Sequence, residues 1–183
     1  MWMSVKPKVI SIAAVSGGGK TAVTNALNQT LGDSRKLLFD EYDFHESPDD
    51  LIQWVEEGAD YNEWNLEPLI KDIQQLSTLK EAPAYIVIDY PFAYRNYGMR
   101  NLIDVSVYID TPLDVAMGRR ILRDFSNDNS ASDIQENIRL YLDSGRRAYL
   151  EMEKTIKPDS DLVIDGTLPV ERIVESIVEI LTN

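Results

Sequence analysis

"AVSGGGKT", running from Ala14 to Thr21, decides how the rest of the chain is read. It closes on Gly19-Lys20-Thr21, as the phosphate-cradling pattern G-x-x-x-x-G-K-[ST] requires, but Ala14 stands where the pattern has its first glycine. Upstream, Val9–Val15 is almost wholly apolar, as a parallel strand buried on both faces should be. Downstream, Val23, Ala26, Leu27, Thr30 and Leu31 follow helical spacing from Lys20, and Gly32 supplies a stop. A glycine-rich turn between a buried strand and a helix aims backbone N–H groups at one point and adds the positive end of the helix dipole. In that setting Lys20 is placed to bridge the β- and γ-phosphates of a nucleotide, and the Thr21 hydroxyl to hold Mg²⁺. Ser16, Gly17, Gly18 and Gly19 complete the cradle. A methyl group at Ala14 fits if its backbone angles are ordinary. The competing reading is a plain strand–helix turn with a solvated lysine.

Working outward, apolar runs alternate with helix-period segments. Strands are expected at Lys36–Phe39, Ala84–Ile88, Val105–Ile109 and Leu162–Ile164. Helices are expected around Asp49–Glu57 and Leu66–Leu79, from Thr111 to about Phe125, over Asp133–Lys157 and over Val170–Leu181. Thr111-Pro112-Leu113-Asp114 carries a capping threonine, a proline at the first helical position and a first-turn carboxylate. "SNDNSAS", Ser126 to Ser132, breaks the pattern and reads as the tip of a mobile lid. Strands alternating with helices predict a three-layer α/β/α domain around a parallel five-stranded sheet, with ligands held beyond the carboxyl ends of the strands.

Composition narrows the function. The chain has 183 residues, 44% of them hydrophobic, enough for one domain with a full core, and no repeat or linker divides it. A net charge of −13 argues against a generalist nucleic-acid or anionic-membrane binder. Phosphate ligands stay available, because eight of ten arginines lie between Arg95 and Arg147. Without cysteine there is no disulfide and no thiolate chemistry, and one histidine, His45, excludes a His-ligated metal cluster. His45 is read as a solvated turn residue, a substrate contact being the other reading. "MWMSVKPKVISIAAV" has no long apolar core, so neither a secretory signal nor a membrane span is expected, and a cytoplasmic location is. A homo-oligomer is left open.

At the tips of the strands the chemistry collects. "FDEYDF" puts Asp40 after the second strand, where a carboxylate can accept the proton of an attacking hydroxyl or bind Mg²⁺ through water. "IVIDYP" ends the third strand at Asp89, the place of a second metal-side carboxylate. Both also fit solvated or turn-forming acids. "RRILRD" sets Arg119, Arg120 and Arg123 within a ~100° arc of one helix face, with Ile121, Leu122 and Phe125 opposite. Packed guanidiniums repel unless they meet anions, and a phosphoryl group in transfer supplies those. The alternative is a solvated basic face.

Taken in order, these pieces resemble the uridine kinase-like branch of the P-loop kinases, related to phosphoribulokinase and bacterial pantothenate kinase. "SGGGKT" matches the phosphate loop, and "DEYD" is similar to the family's "DSFY" segment, whose first aspartate is the catalytic base. "VYIDTPLDVAMGRRILRD" carries the most specific match, a strand, an Asp and a helix ending Arg-Arg-x-x-Arg-Asp. "YLDSGRRAYLEMEKTIKPDSDLVI" resembles the late helix and its following "ADLII" strand. The resemblance implies a P-loop NTPase/kinase fold with a helical lid around 119–133 and an acceptor-site insert around 44–80. It implies ATP and Mg²⁺, Asp40 as base beside Lys20, Arg120 and Arg123 in catalysis, and Arg119 on the nucleotide. Thr21, Asp40 and Asp89 are the implied metal-side residues. Where the family's nucleoside kinases have an "HPDAFD"-like stretch, "DYNEWN" (Asp60 to Asn65) stands without its histidine. Glu63 is then the stand-in for the ribose-binding acid and Trp64 the aromatic, with Tyr42 and Arg95 as further substrate-binding candidates. Tyr61 and Trp64 also fit a core or surface cluster. The expectation is a kinase acting on a nucleoside-like hydroxyl compound; the alternative is a nucleotide-binding switch or regulatory ATPase without a small-molecule acceptor.

Overall fold

The computed structural model describes residues 6–126 and 128–182. Five strands form one sheet: β1 (Lys8–Ala13), β2 (Ser34–Leu38), β3 (Tyr85–Asp89), β4 (Val105–Asp110) and β5 (Leu162–Asp165). Their order is β2-β3-β1-β4-β5, and every pairing is parallel. Register aligns Ile12 with Asp89 and Leu38 with Asp89, so β1, β2 and β3 end level. Ala14–Thr21, Asp40 and Asp89 consequently leave the sheet on one edge.

Both faces of the sheet are covered, which accounts for unbroken apolar runs instead of alternation. On one face Ile10, Ile12, Val87, Val107 and Ile109 pack with Val23 and Leu27 of α1 (Lys20–Leu31) and Ile173, Val174 and Ile177 of the C-terminal helix. On the other, Val9, Ile86, Ile88 and Tyr108 meet Leu69, Ile73 and a dense aromatic group. The intervening helices are α2 (Leu51–Glu56), α3 (Glu67–Thr78), α4 (Leu113–Asp124), α5 (Ala131–Leu140), α6 (Arg146–Thr155) and finally α7 (Val170–Thr182).

Three local expectations are corrected. Thr111 does not cap α4: Pro112 takes the N-cap position, no side chain caps the helix, and the Thr111 hydroxyl is spent elsewhere. Leu122 is 83% exposed, so the outer half of α4 runs clear of the core. The single helix expected over Asp133–Lys157 is α5 and α6 joined by one π-helical turn, Tyr141–Gly145. Ser130 starts α5 with a reciprocal capping box to Asp133. Within the segment read as a lid tip, Asn127 lies outside the described residues. Among the described residues no helix is long and apolar enough to cross a membrane.

Candidate active site

The phosphate loop is built for a backbone that side chains would obstruct. Gly17 and Gly19 have φ of 80° and 99°, a region that favours glycine. A Cβ on Gly17 would lie 2.1 Å from the Ala116 carbonyl oxygen of α4, and one on Gly18 would lie 2.8 Å from the Ala14 methyl. Ala14 is buried, and among the described residues the only non-glycines with positive φ are Ala59 and Ala93. Ala14 therefore has ordinary backbone angles, and its methyl takes the space that Gly18 leaves. Gly19 caps α1 without a side-chain hydrogen bond, so the first-turn N–H groups stay available to an anion.

One buried carboxylate organises the loop's functional ends. Asp89, 2% exposed, accepts from Lys20 Nζ through Oδ1 and from Thr21 Oγ1 through Oδ2, the latter at 2.5 Å. Burial lowers the Lys20 ammonium to about 8, with Asp40 pulling it up and Arg123 pushing it further down. Thr21 and Asp89 supply two oxygen ligands of the kind Mg²⁺ takes. No cluster of three or more acidic, His or Cys side chains is present among the described residues. A metal here fits only as P-loop proteins hold it, through one or two protein oxygens, phosphate and water.

A cleft of about 600 Å³ opens from this loop. Lys20, Thr21, Asp40, Arg119 and Arg123 all line it, together with Ser16, Gly17 and Gly19. Asp40 sits in a single 3₁₀ turn, Phe39–Glu41, directly after β2, and its charge is felt by both Lys20 and Arg123. The three arginines of α4 part company despite their shared helix face. Arg119 donates to the Gly166 carbonyl oxygen at 3.0 Å, and Arg123 is held by Asp124 with Nε 2.6 Å from its carboxylate. Arg120 does not line the cleft. Its guanidinium donates to Asn137 Oδ1 at 2.8 Å and lies 5.7 Å from the Tyr141 ring centroid, so it braces α4 against the helices that follow.

The far end of the cleft is apolar. Trp64 reaches it, within an aromatic floor where Trp64 and Phe92 centroids are 5.0 Å apart and Trp54 and Tyr61 centroids 5.1 Å. α6 also lines the cleft, through Ala148, Tyr149 and Met152, the last packed against the aromatic group. The other acceptor candidates lie outside. Glu63 is exposed and lines a separate surface groove with Glu46. Tyr42 gives its hydroxyl to Asp72 at 2.7 Å, and Arg95 lies over the outer side of the Tyr61 ring region, in another groove with Asp60. His45 is solvated, as read from the sequence, with its side chain 84% exposed. Phe92, Tyr149 and Met152 were not singled out in the sequence. The available signals were the aromatic after Asp89-Tyr90-Pro91 and the i, i+3 spacing of Tyr149 and Met152.

No protein-family model matches the chain. Over 187 aligned residues it is 27% identical to the uridine kinase of Geobacillus sp. (strain WCH70), covering 88% of this chain and 87% of that one. Among solved structures, a gluconokinase from Sinorhizobium meliloti 1021 superposes with a TM-score of 0.52 at 18% identity, covering 92% and 88% of the two chains. A deoxyadenosine kinase from M. mycoides gives 0.52 at 18% identity, covering 95% and 98%. Fold, loop and likeness together define a P-loop phosphotransferase with a three-layer α/β/α core. Within that class, the chain is similar over most of its length to the uridine kinases.

Proposed function

We propose that this chain is an ATP-dependent small-molecule kinase that phosphorylates a hydroxyl group of a nucleoside-like acceptor. The observation that carries the reading is that Asp40, Lys20 and Arg123 line one cleft whose floor is the phosphate loop and whose far end is open to an organic body. Gly17, Gly19 and the first turn of α1 bind the triphosphate, and Arg119, anchored at Gly166, borders the nucleotide side. Asp40 takes the proton of the acceptor hydroxyl as its oxygen attacks the γ-phosphorus and the bond to the β-phosphate oxygen breaks, leaving ADP. Lys20 and Arg123 offset charge on the transferring group. Thr21 and Asp89 hold Mg²⁺, which neutralises phosphate charge when bound. Positioning and electrostatics supply most of the rate in such a site.

The test is ADP release measured with ATP·Mg²⁺ against a panel of nucleosides, pantothenate and sugar phosphates. A kinase accelerates sharply with one acceptor, and Asp40→Asn removes that acceleration while nucleotide binding persists. Slow turnover indifferent to every acceptor would mark a nucleotide switch instead. An Asp40→Asn variant that phosphorylates at the unsubstituted rate would refute the base assignment.

A further inference from the structure

Most polar side chains that line the cleft already have a partner in the protein. Lys20 and Thr21 bond Asp89, Arg119 bonds the Gly166 carbonyl oxygen, Arg123 bonds Asp124, and the Tyr61 hydroxyl pairs with Thr155. Trp64 Nε1 lacks a partner, but that atom is buried. Tyr149 of α6 is different. It is half-buried, it lines the cleft, and its hydroxyl has no hydrogen-bond partner among the described residues.

The π-helical turn before α6 sets where this ring lies. Residues eight apart on an unbroken α-helix are about 80° out of phase, so Tyr141 and Tyr149 would point to different sides. Here the Arg146 amide donates to the Tyr141 carbonyl oxygen, five residues back. That turn takes up one extra residue and makes the pair equivalent to i, i+7, about 20° apart. The two rings accordingly meet, with centroids 5.8 Å apart and planes inclined at 34°. Tyr141 in turn has the Arg120 guanidinium 5.7 Å from its centroid. Arg120 and Tyr141 do not line the cleft and Tyr149 does, so a stack anchored on α4 ends at the cleft wall. Turns of this kind are frequent at functional sites.

The surroundings of Tyr149 include the groups assigned to phosphate transfer. The hydrogen bond with Asp124 is the main cause holding the Arg123 guanidinium above its usual range, and Asp124, Asp40 and Tyr149 add to it electrostatically. Tyr149 is therefore within electrostatic reach of the arginine that Asp40 also acts on. A guanidinium and a hydroxyl that both donate into one space share an anion as their partner. The phosphoryl group in transfer is such an anion, with charge spread over three equatorial oxygens.

We propose that the Tyr149 hydroxyl is a catalytic group of this site, donating a hydrogen bond, together with Arg123, to an oxygen of the phosphoryl group as it passes to the acceptor. It transfers no proton. A donor fixed in place before the charge arrives stabilises it without reorganisation. The inference rests on the kinase reading above and adds to it a neutral donor supplied by α6.

The experiment titrates ADP·Mg²⁺ into the purified protein by calorimetry, with each acceptor of the panel above in turn, in fluoride with and without aluminium. Aluminium fluoride beside ADP mimics the planar phosphoryl group. Aluminium is expected to tighten ADP binding to the unsubstituted protein with one acceptor. Tyr149→Phe keeps the ring and its contact with Tyr141 and removes the hydroxyl alone. It is expected to lose about tenfold of that tightening, with ADP affinity in fluoride alone and Tm unchanged. Equal tightening in both proteins overturns the proposal and leaves the kinase reading standing. An equal loss of affinity with and without aluminium also overturns it, because the hydroxyl would then serve ground-state binding or the fold. If aluminium tightens ADP in neither protein with any acceptor, and none accelerates ADP release, the kinase reading falls and this proposal falls with it.

Discussion

The Thr111 hydroxyl, at the exit of β4, donates a 2.8 Å buried hydrogen bond to the Gly18 carbonyl oxygen, 93 residues earlier in the chain. This bond fastens the phosphate loop to the start of α4, and Gly166 passes so close that a Cβ there would lie 1.8 Å from the same hydroxyl. Thr111→Val keeps the shape and strands the carbonyl. The expected cost is about 1–3 kcal/mol, read as a fall of several degrees in Tm and a weaker ATP affinity. Unchanged values for both would show that the loop holds its form without the bond.

Arg123 and Arg120 should separate in the laboratory although spacing groups them. Arg123 lines the cleft, so Arg123→Ala is expected to lower kcat by ~10²-fold with little change in Tm. Arg120 is engaged by Asn137 and Tyr141, so Arg120→Ala is expected to act first on stability, by about 1–2 kcal/mol. Steady-state kinetics and thermal melts on the two variants check this. Reversed outcomes would move the transferring phosphate toward Arg120.

Lys20 ties two pH effects of opposite sign to one group. Burial lowers its ammonium from 10.5 to about 8, so between those values the unfolded chain binds more protons and stability of the ligand-free protein rises with pH. Phosphates favour the ammonium, so binding raises the depressed value and takes up a proton above pH about 8. Nucleotide affinity should be flat below that pH and decline above it. Calorimetry of ATP binding in EDTA, in buffers of different ionisation enthalpy, reads the proton directly. Lys20→Ala should abolish both the uptake and turnover.

Gly17 and Gly19 differ in what surrounds them. Gly17→Ala meets a positive φ and a carbonyl oxygen at 2.1 Å, whereas Gly19→Ala meets only the positive φ, with nothing within 4 Å of the added carbon. Gly19→Ala should cost about 1–2 kcal/mol of backbone strain, and Gly17→Ala clearly more, since α4 must also shift. Denaturant melts rank the two, and equal losses would mean that the loop and α4 part easily.

The middle of the sheet was legible because β1, β3 and β4 are buried on both faces, which leaves apolar runs such as Val9–Val15 that few other structures produce. The loop was legible because its glycines answer a local backbone demand. Side-chain partners across the fold were not. Spacing placed Arg119, Arg120 and Arg123 on one helix face, but Gly166, Asn137 and Asp124, which draw them apart, come from three different places in the chain. Thr111 looked like a helix cap because its neighbours fit that pattern, while its true partner is Gly18. Tyr42 could not be told from an acceptor contact before Asp72 was seen beside it.

On the surface of the protein, Arg147 of α6 reaches Glu56 of α2 at 2.9 Å, with both side chains about 60% exposed. A bridge so open to water is worth little, typically under about 1 kcal/mol, and salt weakens it further. The tie between α2 and α6 at this point is thus one that thermal motion undoes almost freely, and it should loosen further as buffer strength grows.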